Sequence, residues 1–133
     1  MLTYYHRQMV VHPILLEVRQ ISSNQILMIY DKPIDLVSVT NVSNYWIRST
    51  MGPVGIASVG MREALMTENA IRPDMGMIEP VDNSKIRFVI TFKVNAMQGV
   101  MYTVLPCFVN LDGMSGFMGE NWGPNSKNMF VGM

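Results

Sequence analysis

The sequence predicts an antiparallel β-sandwich, and the clearest evidence lies between residues 85 and 112. In the first part of this stretch apolar and polar side chains alternate, which indicates a strand with one face on a core and the other in water. The apolar positions are Ile86, Phe88, Ile90 and Phe92, and the polar positions are Lys85, Arg87, Thr91 and Lys93. A second strand-like run at 100–110 follows a short connection that contains Gly99. Two such runs joined by a short connection predict a β-sandwich-like domain with antiparallel pairing.

Other segments predict strands because they are short, rich in apolar or β-branched residues and bounded by turn residues. The stronger ones are residues 13–21, 25–30 and 45–49, and the weaker ones are residues 54–59 and 75–79. Many short strands separated by frequent turns are typical of a sandwich or a barrel.

Three further segments lack a clear strand pattern. Residues 36–44 are ambiguous, and residues 61–69 predict at most one or two helical turns or a loop insertion. Residues 114–133 predict a long C-terminal loop that ends in a short strand at 128–131. This tail carries too many large apolar side chains to hang free in water, so we expect it to pack on this domain or on a neighbouring subunit.

Length and composition predict one folded domain. A chain of 133 residues buries about two-thirds of its unfolded surface without a metal or disulfide. We expect a single domain over residues 1–133, with a core at 13–113 and a packed tail at 114–133. Hydrophobic residues make up 49% of the chain and charged residues 15%, which excludes a disordered protein. The ten basic and ten acidic residues balance, which argues against a nucleic-acid partner and against a polybasic membrane-surface module.

The chain shows no segment for membrane insertion, because no apolar run approaches the length of a membrane-spanning helix. Residues 1–14 are too polar for the apolar region of a signal peptide. The sequence therefore leaves open an intracellular protein, another export route, or a piece of a larger protein.

Four short motifs follow one another in a recognisable order. They are YDKPID at 30–35, NYWI at 44–47, GVMYTV at 99–104 and NLDG at 110–113. This order resembles that of the bacterial Ig-like modules found in surface-layer and other cell-envelope proteins, and the resemblance covers residues 13–113. The insertion at 61–69 and the tail at 114–133 depart from that pattern.

The resemblance implies an all-β, Ig-like antiparallel β-sandwich of about seven strands with a long C-terminal loop segment. It also implies a tyrosine corner at Tyr102, in which the hydroxyl bonds back to the upstream backbone. The location that it implies is extracellular or at the cell surface. The implied partners are other proteins or neighbouring domains of an assembly, and a homo-oligomer is compatible with it.

Aspartates near the strand ends are candidates for a metal site. Loops at one end of a sandwich lie together, so Asp31, Asp35 and Asp112 would be able to meet there. Carboxylates with backbone and amide carbonyls are ligands for Ca²⁺, but the spacing matches no EF-hand loop. We therefore favour solvated turns over a calcium site and expect no other cofactor.

The loop at 119–125 is the candidate binding site, with Trp122, Phe117 and Asn121 as its residues. An exposed Trp122 would stack on a sugar ring or anchor a protein partner. The alternative is that Trp122 folds back over the open end of the sandwich, and we favour it because so large an apolar group is seldom left in water.

No catalytic motif is present in the sequence. Nothing places a pair of carboxylates at a cleft, as a glycosidase requires, and Cys107 lies in a strand-like run where we expect it to be buried and inert. The fourteen methionines either fill gaps in the core and cover the sheet surface or provide an adaptable binding surface, and we favour the first. The function predicted is a non-enzymatic structural or interaction module of a bacterial envelope or virion-type assembly. The alternative is a carbohydrate- or protein-binding module that uses the loop around Trp122.

Overall fold

The computed structural model describes residues 11–133, and this part of the chain forms two antiparallel sheets. Its seven strands are β1 (Leu15–Ser22), β2 (Gln25–Tyr30), β3 (Tyr45–Ser49), β4 (Gly76–Pro80), β5 (Arg87–Phe92), β6 (Met101–Pro106) and β7 (Met129–Val131). One sheet has the order β1-β2-β5-β4, and the other has the order β3-β6-β7. In letters these orders are A-B-E-D and C-F-G, which is the arrangement of a constant-type Ig domain. The predicted Ig-like β-sandwich is confirmed.

Helical structure is confined to short connections in the described residues. The segment that the sequence left ambiguous forms a short helix, α1 (Leu36–Thr40), followed by a 3-10 turn at Val42–Asn44. The insertion contains one further 3-10 turn at Thr67–Asn69. None of these helices is long and apolar enough to cross a membrane.

The alternation in β5 places its apolar residues between the sheets, as predicted. Phe88, Ile90 and Phe92 are buried, and Arg87 on the opposite face is exposed. The prediction for Ile86 is only partly right, because this residue precedes β5 and is partly exposed.

Two predicted strands are shorter or missing because the backbone turns out of the extended region. The run at 100–110 ends as a strand at Pro106, and Phe108 has a φ of +63° that no strand residue adopts. Residues 54–59 are irregular, and only Val59 forms a bridge, with Arg48 of β3.

Tyr102 forms the tyrosine corner that the resemblance implied. Its hydroxyl accepts a hydrogen bond from the Met97 amide at 2.8 Å and donates one to the Val54 carbonyl at 3.3 Å. Gly55 lies so close that a Cβ atom there would approach the tyrosine hydroxyl to 2.8 Å, and its φ is +58°. The corner therefore pins the β5–β6 connection and the 52–60 loop to the start of β6.

The C-terminal tail completes the second sheet. Strand β7 pairs with β6, with Tyr102 opposite Phe130, and the two rings stack with centroids 5.4 Å apart. The predicted short strand at 128–131 is thus present at Met129–Val131. The sandwich reaches beyond residue 113, where the motif pattern had placed the end of its core.

Phe88→Ala tests the position of β5 in the core. Phe88 is fully buried and its ring meets that of Tyr30 edge-on at 6.3 Å, so we expect a loss of about 3–5 kcal/mol in the free energy of unfolding. Urea denaturation measures it. The control Arg87→Ala, on the exposed face of the same strand, changes stability by only about half a kcal/mol. A loss for Phe88→Ala no larger than the control would contradict this register.

Tyr102→Phe tests the corner, since it removes the hydroxyl and keeps the ring. The Met97 amide and the Val54 carbonyl lose their partner, so we expect the free energy of unfolding to fall by about 1–3 kcal/mol. Thermal and urea unfolding both measure this change. Unchanged stability would show that the two hydrogen bonds do not contribute.

Candidate interaction surfaces

Trp122 lies on the outer face of the β3-β6-β7 sheet. It is partly buried and packs against a second apolar cluster, separate from the core between the sheets. The centre of this cluster is the cross-strand pair of Trp46 and Leu105. The predicted fold-back of Trp122 is therefore present, but it covers a sheet face and not the open end of the sandwich.

The 61–69 insertion covers the same face. The indole N–H of Trp46 donates to the Met66 carbonyl at 2.9 Å and to the Asn69 side-chain oxygen at 2.8 Å. Leu65 and Ala70 pack on the cluster from this side. Alternation explains the arrangement, because Tyr45 and Ile47 point into the main core and Trp46 between them must point outward.

Asn121 does not fit the binding role predicted for it. Its side chain is 0% exposed. Its Oδ1 accepts from the Val109 amide at 2.9 Å, and its Nδ2 donates to the Pro13 and Val109 carbonyls at 2.9 and 3.0 Å. An amide group with these partners inside the protein holds the fold and has no face toward a ligand.

Phe117 is also engaged within the chain. Its ring stacks on that of His12, with centroids 4.1 Å apart and planes at 8°, and its amide donates to the side-chain oxygen of Asn110 at 2.8 Å. Of the three residues predicted for binding, Phe117 and Trp122 keep part of their surface in water and Asn121 does not.

The three aspartates predicted for calcium have separate partners. The Asp31 carboxylate accepts from the Ile14 amide at 2.8 Å, and the Asp35 carboxylate caps α1 by accepting from the Ser38 amide at 2.9 Å. Asp112 forms an exposed ion pair with Lys85 at 3.1 Å.

These aspartates do not form a metal centre in the structure described here. Across residues 11–133, no group of three His, Cys, Asp or Glu side chains is placed to hold a metal ion. Each carboxylate is instead engaged by a partner of its own, a backbone amide for Asp31, the helix cap for Asp35 and an ion pair for Asp112.

Four shallow cavities surround the beginning of β4. Each has a volume between about 270 and 310 Å³. One is lined by Glu68 and another by Asp74, and no second carboxylate lines either of them. These four cavities thus lack the pair of carboxylates that a glycosidase uses.

Cys107 is buried, as predicted, but on the outer face. It belongs to the Trp46 cluster and bridges Glu120 of the tail. Burial, reinforced by the negative charge of Glu120, raises the pKa of its thiol to about 11. A thiol in this environment is a poor nucleophile because the reactive form is the thiolate.

One apolar surface was not located by sequence reasoning. Met101, Met129 and Val131 lie on the outer face of β6 and β7, with exposed fractions of 37%, 53% and 50%; we call them the β6–β7 patch. Met101 and Val131 are direct neighbours in the strand register. The abundance of methionine in the sequence was the available indication of such a surface, but composition does not say which methionines face water.

Trp122→Ala distinguishes a packing role from a binding role. Because the indole packs on the Trp46 cluster and is partly exposed, we expect a loss of about 1–3 kcal/mol in the free energy of unfolding, less than for a fully buried aromatic. The control Met118→Ala removes a side chain that is 79% exposed and changes stability by about half a kcal/mol at most. Urea unfolding decides, and equal stability of the two variants would contradict the packing role.

Labelling of Cys107 tests its burial. With a thiol pKa of about 11, roughly one thiol in a thousand is ionised at about pH 8. We expect slow modification by a thiol reagent in the native protein and a rate that rises about tenfold per pH unit below the pKa. The same reagent labels the urea-unfolded chain rapidly. Native labelling as fast as that of the unfolded chain would overturn this assignment.

Comparison with known proteins identifies the fold. No protein-family model matches the chain, and no curated protein matches it. The structure is similar to the S-layer protein rSbsC(31-844), with a TM-score of 0.57, 18% sequence identity and 97% of this chain covered. It is also similar to domains 1-6 of the surface layer protein SbsC, with a TM-score of 0.59, 17% identity and 96% coverage. The N-terminal part of the bacterial S-layer protein SbsC matches with a TM-score of 0.56, 19% identity and 97% coverage.

This chain spans 14% of the length of the first two proteins and 25% of the third. At such identities the likeness concerns the fold. The resemblance to surface-layer modules that the motifs indicated is confirmed at that level.

Proposed function

We propose that this chain is a non-enzymatic structural module of a bacterial cell-envelope assembly. The observation that carries the proposal is the fold: the A-B-E-D and C-F-G sandwich matches S-layer protein domains over nearly the whole chain. On this proposal the protein lies at the cell surface as one folded unit among others.

The use of polar side chains supports a structural role. The side chains of Asn121 and Asp35 form hydrogen bonds with the backbone of this chain. The Trp46 side chain binds the backbone of the insertion. No buried side-chain nitrogen or oxygen in the described residues is left without a partner. A fully satisfied polar interior stabilises one rigid shape, which suits a building unit.

The proposed partners are neighbouring modules of the same assembly. The β6–β7 patch supports this, since methionine side chains adapt to the shape of a partner. The net charge of zero also permits close packing of like units, because they do not repel one another.

The alternative function is a module that binds carbohydrate or protein through the loop around Trp122. Its supporting observation is the part of the Trp122 ring that remains in water. The burial of Asn121 removes one of the polar groups that such a site was expected to use.

Surface labelling of intact cells tests the proposal. A membrane-impermeant, amine-reactive biotin reagent will find exposed lysines on this module, such as Lys32, Lys93 and Lys127. We expect the protein to be labelled on intact cells of the source organism and to sediment with envelope fragments. A cytosolic protein serves as the control for leakage. Labelling only after lysis, with the protein in the soluble fraction, would refute the envelope role.

A binding assay distinguishes the alternative binding function from the structural role. The purified chain and its Trp122→Ala variant are each mixed with insoluble cell-wall polysaccharide and sedimented, with Met118→Ala as the matched control. The structural role predicts the same low retention for all three proteins. Retention of the parent and of Met118→Ala, lost in Trp122→Ala, would establish the binding function instead.

A further inference from the structure

Most of the methionines in the described residues lie on the surface, although methionine is among the residue types that proteins bury most often. The sequence has fourteen methionines, of which Met1 and Met9 precede the described residues. Met28 is fully buried and Met75 is partly buried. The remaining ten have exposed fractions between 37% and 79%, and we call them the outer methionines: Met51, Met61, Met66, Met77, Met97, Met101, Met114, Met118, Met129 and Met133.

The outer methionines are distributed over the described molecule. Met77 lies on β4 of one sheet, and Met101 and Met129 lie on β6 and β7 of the other. Met61 and Met66 lie in the insertion, and the rest lie in loops and in the tail. A docking surface would gather them on one face, as the β6–β7 patch does with two of them. The distribution of the other outer methionines therefore requires a different explanation.

Two outer methionines support the fold through their backbone groups. The Met97 amide donates to the Tyr102 hydroxyl at 2.8 Å, and the Met133 amide donates to the side-chain oxygen of Gln20 at 2.8 Å. A chemical change at the sulfur atom leaves both hydrogen bonds in place. An exposed thioether also gains nothing from burial that a polar sulfoxide would lose, so oxidation of these side chains is compatible with the folded state.

The sulfur atoms whose oxidation would damage the fold are enclosed. Met28 is 0% exposed and lies opposite Phe88 in the core, where a sulfoxide would place an unpaired polar group among apolar side chains. Cys107 is buried in the Trp46 cluster. A thiol reacts with peroxide through its thiolate, and burial withholds this group. The fold therefore exposes the sulfur atoms that tolerate oxidation and protects those that do not.

We propose that the outer methionines act as oxidant scavengers, which consume peroxides at the protein surface and become methionine sulfoxide while the sandwich keeps its fold. In each step the sulfur attacks one oxygen of the peroxide, so that an S–O bond forms and the O–O bond breaks. With hydrogen peroxide, the sulfur loses two electrons and the proton of the attacked oxygen passes to the departing hydroxide, which leaves as water. This activity is additional to the structural role and does not depend on where the protein lies in the cell.

Peptide mapping by mass spectrometry, after timed exposure of the full chain to hydrogen peroxide, measures the oxidation rate of each methionine. In the native chain we expect each outer methionine to react within about tenfold of its rate in the chain unfolded in guanidinium chloride. We expect Met28 to react at least about a hundredfold more slowly than in the unfolded chain, because its oxidation requires opening of the core. The protein oxidised at the outer positions keeps the circular dichroism spectrum and the urea midpoint of the untreated protein.

A variant with fewer outer methionines tests the capacity for peroxide. Leucine keeps the size and apolar character of methionine and removes the sulfur, and it replaces five of the most exposed outer methionines in one chain: Met51→Leu, Met61→Leu, Met77→Leu, Met118→Leu and Met133→Leu. We expect the native protein to consume five fewer molecules of peroxide per chain, with unchanged rates at the remaining sites. Met28→Leu is the matched control and leaves the consumption of the native protein unchanged. If the five-site variant does not fold, the site-by-site rates in the parent chain decide alone.

Protection of most outer methionines in the native chain as strong as that of Met28 would overturn the scavenging role. Loss of the native circular dichroism spectrum while Met28 is still unoxidised would also overturn it, because the fold would then not tolerate surface oxidation. A folded five-site variant with undiminished peroxide consumption would be equally contrary. These outcomes leave the envelope role intact, because that role is tested by surface labelling.

Discussion

The buried carboxamide of Asn121 is the interaction on which the rest of this structure depends. It joins Pro13, just before β1, to Val109 in the segment after β6. Each amide or carbonyl left unpaired in this position would cost about 1–3 kcal/mol. This cost favours the position of the tail in which the Asn121 side chain makes all of these hydrogen bonds. With the tail fixed there, Lys127 meets β1 and β7 reaches β6. One side chain thus links the segment before β1 in one sheet to the segment after β6 in the other.

The second constraint is the apolar outer face of the β3-β6-β7 sheet. Trp46 and Leu105 face outward because their neighbours along each strand fill the core. Exposure of such apolar surface to water is unfavourable by roughly 25 cal/mol per Å². The insertion at 61–69 and the tail residue Trp122 cover it. The two segments that depart from the motif pattern are therefore covers for one sheet face.

The sequence was informative where local pattern determines structure. Alternation located Phe88 in the core, and the resemblance carried by the short motifs implied the corner at Tyr102. Long-range partners were not accessible in this way. Asn121 as a buried anchor looks like any polar loop residue until the fold brings the Pro13 carbonyl to its side chain. For the same reason the sequence predicted that the tail packs, but it did not predict that the tail pairs with both sheets.

Native-state amide hydrogen exchange tests most directly whether the tail is an integral part of the sandwich. The amides of Leu15, Val18, Asn121 and Lys127 are bonded across the junction of the tail with β1 and β6. If the junction is integral, they exchange only through global unfolding, with the same protection as the β5 amide of Ile90. Exchange of these four amides by local opening, while Ile90 stays protected, would show that the tail is an appendage and would contradict this account.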